Sequence, residues 1–164
     1  NLVFKNKKIN DTFHESMKCK YVNYKIFTNT AENDFYVLPC NIDISREVNV
    51  YIAEGPMDIL GIKYNLIKNI DNCLYIAGKG KAYDNAILWA IRSLVAMNLN
   101  IHIFPDRDVP NSYIRNIILK HKVNFPMYRF FIHNNQYGNE KDYGVPEWKI
   151  SDFMWEEKIN NHII

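Results

Sequence analysis

The sequence predicts an α/β fold with an open, mainly parallel four-stranded sheet and flanking helices, beginning near residue 47. Short apolar segments rich in β-branched residues alternate there with segments whose apolar residues recur at helical spacing. The short segments are continuously apolar, as is typical of strands covered by helices on both faces. The distances between them suit the right-handed crossovers of a parallel sheet.

Each predicted strand is one of these apolar runs. The four strands are residues 48–53, 73–77, 101–105 and 128–133. Pro56 begins the first predicted helix, because a proline in the first turn lacks only an N–H that would be unsatisfied there. Further helices are predicted at residues 83–97, 110–121 and 146–160. The last of these would present Trp148 and Trp155 on one face.

The N-terminal part of the chain has a different pattern. Residues 21–28 and 35–39 are rich in aromatic and branched side chains and are separated by a turn-like segment, which predicts a hairpin. We therefore expect a small β-rich appendage at residues 1–46, a catalytic domain at residues 47–146 and a C-terminal helix at residues 147–164.

Composition limits the class of protein. The 164 residues are 48% hydrophobic and 23% charged with a net charge of +2, which is typical of a soluble globular protein. Cys19, Cys40 and Cys73 form no CxxC pair, so a reducing, cytoplasmic compartment is expected. No apolar run has the length of a membrane span, and the first residues do not resemble a signal peptide.

Carboxylates follow two of the predicted strands. Glu54 comes directly after the first strand, and Asp106 and Asp108 follow the third. Because parallel strands end at the same edge of a sheet, these side chains should converge there. Three carboxylates in one place repel each other unless a cation lies between them, and oxygen ligands suit Mg²⁺ or Mn²⁺. Taken alone, Glu54 is equally compatible with a carboxylate that caps the next helix.

Three basic residues near these strand ends are candidates for contact with phosphates. Lys79 and Lys81 alternate with Gly78 and Gly80 before a predicted helix, without the spacing of a Walker loop. A plain turn explains this segment equally well. The third residue, Arg107, lies between the two aspartates and is expected to face solvent or phosphate.

The order of these motifs resembles the Toprim domain. Glu54-Gly55-x-x-Asp58 follows the first strand, Gly78 the second, and Asp106-x-Asp108 the third. Toprim domains occur in bacterial-type primases, topoisomerases and the OLD-type and related nucleases, and this variant looks most like the phage-encoded primases. The resemblance covers about residues 47–146.

The resemblance implies an activity and its residues. It implies nucleotidyl transfer in RNA primer synthesis for DNA replication, with Glu54, Asp106 and Asp108 as catalytic and metal-binding residues. Asp58 and Asp142 would be further metal-binding carboxylates, although Asp58 is equally compatible with a simple charge at a helix start. Gly55 would let a phosphate or backbone come close. The implied partners are a single-stranded DNA template, nucleoside triphosphates and a replicative helicase.

The sequence departs from the primase pattern in two respects. Val109 and Pro110 stand where primases usually have a small residue and glycine, and the zinc module and most of the polymerase subdomain are missing. A catalytic fragment or a short phage relative is therefore expected rather than an independent primase. The alternatives are a Toprim-type metal-dependent nuclease and a degenerate, non-catalytic module that binds nucleic acid or a partner protein.

Overall fold

The computed structural model describes most of the chain. The described residues are 2–7, 13–19, 35–38, 42–67, 71–78, 80, 82–94, 96, 98–134, 141, 143–145 and 155–159. The predicted strand at residues 21–28 lies outside this part of the chain, as do Lys79, Lys81, Asp142 and Trp148.

The described chain contains both strands and helices. The strands are β1 (Leu2–Lys7), β2 (Phe13–Cys19), β3 (Phe35–Val37), β4 (Val48–Ala53), β5 (Cys73–Ala77), β6 (Leu99–Phe104), β7 (Arg129–Asn134) and β8 (Trp155–Ile159). The helices are α1 (Pro56–Gly61), which continues into a π-helical turn (Ile62–Leu66), α2 (Tyr83–Leu94) and α3 (Asn111–Asn124).

All these strands belong to one sheet, in the order β2-β1-β3-β5-β4-β6-β7-β8. The four predicted strands, β5, β4, β6 and β7, are mutually parallel and adjacent. With β3, which pairs antiparallel with β5, they form a mostly parallel five-stranded centre. The α/β prediction is confirmed, but the sheet is larger than four strands because β3, β1 and β2 extend it beyond β5 and β8 extends it beyond β7.

Helices cover both faces of the central strands. On one face, α2 and α3 bury aliphatic side chains of β4, β6 and β7 such as Ile52, Ile103 and Ile132. On the other face, Ile59 of α1 and Ile62 of the π-helical turn pack with aromatic side chains of the sheet. Burial on both faces explains why these strands are continuously apolar in sequence.

The prediction of a C-terminal helix is wrong for residues 155–159. This segment is β8, which pairs antiparallel with β7 from Phe130↔Ile159 to Asn134↔Trp155. Without β8, β7 would leave a row of backbone N–H and C=O groups unpaired at the sheet edge. Tertiary pairing therefore outweighs the helical spacing of the apolar residues, which is only a weak determinant of structure.

Two histidines join neighbouring strands on the face that α1 covers in part. His102 Nδ1 of β6 lies 2.8 Å from His133 Nε2 of β7, and His102 Nε2 lies 3.3 Å from Asn49 Oδ1 of β4. The His102 ring stacks on Phe131, and the His133 ring stacks on Phe104. Burial lowers the pKa of His102 to about 4, with a smaller contribution from Arg129. Burial and the nearby His102 lower the pKa of His133 to about 3.

We expect the stability of the fold to fall as the pH is lowered from about 6.5 towards 4. Because both histidines bind a proton more weakly in the folded chain than in the unfolded chain, acid favours unfolding in this window, by up to about 1.4 kcal/mol per pH unit for each histidine. Well above pH 6.5 these histidines are neutral in both the folded and the unfolded chain, and this dependence vanishes. Urea unfolding at a series of pH values measures the effect.

The control for this measurement is a double variant, His102→Gln with His133→Gln. It removes both titrating groups while keeping polar side chains that can form hydrogen bonds. Its stability should change less steeply with pH in this window. An equally steep loss in the double variant would assign the acid sensitivity to other groups.

Candidate functional site

The carboxyl edge of the parallel strands brings together two of the predicted acidic residues. β4 and β6 pair in parallel with Ala53 opposite Phe104, so both strands end at the same level. Glu54 follows β4 directly and is half-buried, whereas Asp106 follows β6 by two residues and is only 6% exposed. Asp108 lies further along the same loop and is exposed. The predicted edge is therefore acidic, with one carboxylate deeply buried.

Tyr83, the first residue of α2, lies among these carboxylates. Its side chain is 1% exposed. Burial raises the pKa of Tyr83 strongly, and the negative charges of Glu54, Asp106 and Asp58 raise it further. The nearby Asp106 backbone opposes this increase in pKa, although the hydroxyl has no hydrogen-bond partner in good geometry among the described residues. Tyr83 is therefore a neutral hydroxyl buried beside the acidic groups.

Lys141 contacts both aspartates of the Asp-x-Asp motif. Its Nζ lies 3.9 Å from Asp106 Oδ2 and 3.7 Å from Asp108 Oδ2. The backbone of Lys141 is held at the same loop, because the Arg107 N–H donates a hydrogen bond of 2.9 Å to the Lys141 carbonyl. One ammonium group thus neutralises part of the charge of two carboxylates, one buried and one exposed.

Asp58 has a structural role that the sequence left undecided. Its Oδ2 accepts a hydrogen bond from the Gly55 N–H at the start of α1, at 3.0 Å. Its Oδ1 accepts from the Tyr143 N–H at 3.1 Å and the Gly144 N–H at 3.2 Å. Both oxygens of this buried carboxylate therefore accept backbone hydrogen bonds. This arrangement favours the helix-start interpretation of Asp58 over the metal-ligand interpretation.

The segment around Tyr143 is packed closely against α1 and the turn that follows it. A Cβ atom on Gly61 would lie 2.0 Å from the Tyr143 carbonyl oxygen, so only glycine fits there. Asn65 Nδ2 donates to the Val145 carbonyl at 3.1 Å. The Tyr143 hydroxyl donates to the His133 carbonyl at 2.7 Å, and its ring meets Phe104 edge-on. These contacts fix the segment that follows Lys141.

The glycines of the motif, Gly55 and Gly78, pack against the protein's own atoms. Gly55 caps α1 in an extended conformation, and its N–H is used by Asp58. The Gly78 N–H donates to the Ala53 carbonyl at 2.9 Å, and a Cβ there would lie 3.0 Å from the Gly80 carbonyl oxygen. Gly78 therefore permits the close packing of the chain beyond β5 and β4. Arg107 is exposed, as predicted.

The acidic residues fit a cation site of two carboxylates better than one of three. Within the described residues, no group of three or more His, Cys, Asp or Glu side chains is arranged to hold a metal ion. Asp106 and Asp108, however, each place an oxygen within 4 Å of the same positively charged nitrogen. Mg²⁺ is commonly held by one or two carboxylates together with waters and substrate phosphates. Asp106 and Asp108 fit that pattern. Glu54 lies near Tyr83, as Asp106 does, and is not needed as a third ligand.

Three side chains of this site were not expected from the sequence. In the sequence, Tyr83 is the first residue of a predicted helix, Lys141 lies between Glu140 and Asp142, and Tyr143 carries no signal of its own. Their contacts join residues far apart in sequence, such as Asp58 and Tyr143. The charge of Lys141 next to two acidic neighbours was the one available hint.

Comparisons with known proteins add no assignment. No protein-family model, curated protein or solved structure matches the chain. In the described part of the chain, no helix is both long and apolar enough to cross a membrane.

We expect Asp58→Asn to destabilise the chain by about 1–3 kcal/mol. Both carboxylate oxygens of Asp58 accept hydrogen bonds from backbone N–H groups, and asparagine replaces one of these oxygens by an NH₂ group that cannot accept. Urea unfolding measures this loss. Asp108→Asn is the matched control, since Asp108 is exposed and should change stability by less than about 0.5 kcal/mol. Equal stabilities of Asp58→Asn and the wild type would remove the structural role of Asp58.

Proposed function

We propose that the chain is a Toprim-like domain that performs metal-dependent phosphoryl transfer on nucleic acid, most specifically nucleotidyl transfer in primer synthesis of the phage primase type. The observation that supports this most is the meeting of Glu54 and Asp106 at the carboxyl edge of two adjacent parallel strands. Ligand sites of open α/β sheets lie at this edge. The choice of phosphoryl transfer over other reactions rests on the order of the Toprim-like motifs in residues 47–146.

In this proposal Asp106 and Asp108 hold Mg²⁺ or Mn²⁺. When bound, the cation would orient phosphate oxygens and neutralise the charge that develops on them. Asp106 is buried, which leaves its side chain little room to move, whereas Asp108 is exposed and can adjust to the ligand. A pair of this kind combines a rigid ligand with an adaptable one.

Glu54 is the proposed proton acceptor. It follows β4 directly, lies half-buried, and is close enough to Tyr83 to raise the pKa of that hydroxyl. A general base must lie beside the reacting oxygen, and this position is next to the proposed cation ligands. Tyr83 keeps its proton at neutral pH and can donate a hydrogen bond to an oxygen at the site.

The proposed partners are a single-stranded DNA template and nucleoside triphosphates, with a replicative helicase as a protein partner. Arg107 is exposed beside the aspartates and could contact phosphates there. The proposed phosphate contacts of Lys79 and Lys81, and the proposed metal-binding role of Asp142, concern residues outside the described part of the chain.

A second candidate function is a non-catalytic module that binds nucleic acid or a partner. Two observations favour it: Lys141 already pairs with Asp106 and Asp108, and the described residues contain no ready group of three metal ligands. In a non-catalytic domain, the Lys141 ammonium group would take the place of a metal ion and stabilise the two aspartates. A Toprim-type nuclease would use the same residues. In the nuclease, water would attack the phosphate, whereas in primer synthesis the 3′-hydroxyl group of the growing primer attacks it.

One assay separates these functions. The protein is incubated with primed and unprimed single-stranded DNA, nucleoside triphosphates, and Mg²⁺ or Mn²⁺. We expect nucleotide incorporation, and we expect Glu54→Gln to reduce its rate by about 10²-fold or more, since glutamine keeps the shape but cannot accept a proton.

The matched control is Glu47→Gln. Glu47 precedes the opposite end of β4 and pairs with Arg129 at the surface, so the same chemical change occurs far from the proposed site. This variant should incorporate nucleotides at the wild-type rate. Strand cleavage instead of incorporation would select the nuclease, and neither activity would select the non-catalytic module. A fully active Glu54→Gln enzyme would reduce Glu54 to a helix-capping residue.

A further inference from the structure

The position of Lys141 bears on how a cation enters the site. Its ammonium group lies within 4 Å of one oxygen of Asp106 and one oxygen of Asp108. A divalent cation bound by the same two oxygens would have to occupy nearly the same space. Two positive charges so close together repel strongly, so the ammonium and the cation exclude each other.

We propose that Lys141 is the resident counter-ion of the Asp106–Asp108 pair and that a divalent cation binds by displacing it. This inference rests on the proposed function, because it concerns the same two aspartates. In the metal-free protein Lys141 relieves the repulsion between the carboxylates. When the cation binds, the lysine side chain leaves and its backbone stays in place.

The geometry allows this exchange without unfolding the loop. The Lys141 side chain is 62% exposed, and the Asp108 side chain is 55% exposed. The pair between Lys141 and Asp108 is exposed and therefore weak, and the arriving cation would replace the lysine charge beside the buried Asp106. The Lys141 carbonyl accepts from the Arg107 N–H, and Asp58 holds the N–H groups of Tyr143 and Gly144. Only the four-carbon side chain has to move.

Tyr83 gives an independent indication that the site accepts an oxygen ligand. Its hydroxyl is buried beside Asp106 and Glu54; its oxygen lies near the Asp106 backbone, but among the described residues its proton has no acceptor in hydrogen-bond geometry. Buried polar groups in native proteins normally have a partner, which is often water or a ligand. Lys141 has no acceptor to offer this hydroxyl. An oxygen of a phosphate held at the cation would supply one.

The first test is calorimetric titration of Mn²⁺ into the wild type, Lys141→Met and Lys120→Met. We expect Lys141→Met to raise the affinity about two- to fivefold, because the competing charge is removed. Lys120→Met makes the same charge change at the Asp84 ion pair between α2 and α3, and should leave the affinity unchanged. Lys141→Gln repeats the test with a polar side chain.

The second test follows displacement itself. The wild type is treated with an amine-acylating reagent, with and without Mn²⁺, and acylation of each lysine is measured by mass spectrometry. Lys141 should react faster when Mn²⁺ is bound, whereas Lys120 should react at the same rate in both samples. If Mn²⁺ does not displace Lys141, the acylation rate of Lys141 should stay the same or fall when Mn²⁺ is added.

The outcomes separate this inference from the proposed function. Wild-type binding of Mn²⁺ with unchanged affinity in Lys141→Met, or with unchanged acylation of Lys141, would overturn the inference and leave the proposed function standing. Weaker binding by Lys141→Met would also overturn it. Absence of Mn²⁺ binding in the wild type and both Lys141 variants would contradict the proposed function, and the inference with it.

Discussion

The parallel pairing of β4 with β6 is the constraint on which the rest of this structure depends. It sets Ala53 opposite Phe104, so Glu54 and Asp106 follow their strands at the same edge of the sheet. A shift of this pairing by one residue would turn the side chains of one strand to the opposite face of the sheet. Continuous burial of both strands on both faces makes such a shift costly. The acidic edge is thus a consequence of core packing and is not built by the loops alone.

Asp58 shows how an acidic motif can serve the fold and the site at once. Its two oxygens connect the start of α1 to the backbone of Tyr143 and Gly144. Through this connection the chain after β7 returns to the edge where Asp106 lies, and Lys141 is placed over the aspartates. A residue that the motif pattern offers as a metal ligand is therefore better explained as the support of that segment. The negative charge at the edge depends on Glu54, Asp106 and Asp108.

The central strands could be predicted well from the sequence. β4 and β5 occupy the predicted residues 48–53 and 73–77, and β6 and β7 differ from the prediction by one or two residues. These segments are buried on both faces, and continuous apolar runs between helices report that burial directly. The acidic edge followed from the same reasoning, because strand direction alone determines which ends meet.

The parts that could not be predicted depend on contacts between distant residues. β8 was expected to be helical because its apolar spacing is compatible with a helix, and only the open edge of β7 makes it a strand. Lys141 reaches Asp106 across more than thirty positions of sequence, and no local pattern marks that pairing. Tyr83 has the sequence appearance of an ordinary core residue at a helix start. Its importance appears only when the carboxylates of two strands are placed around it.

The most direct test of this account is crystallography of the protein with Mn²⁺, using the anomalous signal of the metal to locate it. The account predicts a peak at bonding distance from carboxylate oxygens of Asp106 and Asp108, with the Lys141 ammonium moved away from both and Asp58 still bound to the Tyr143 and Gly144 backbone. A peak elsewhere on the molecule, or no peak with Lys141 still between the two aspartates at saturating Mn²⁺, would contradict it.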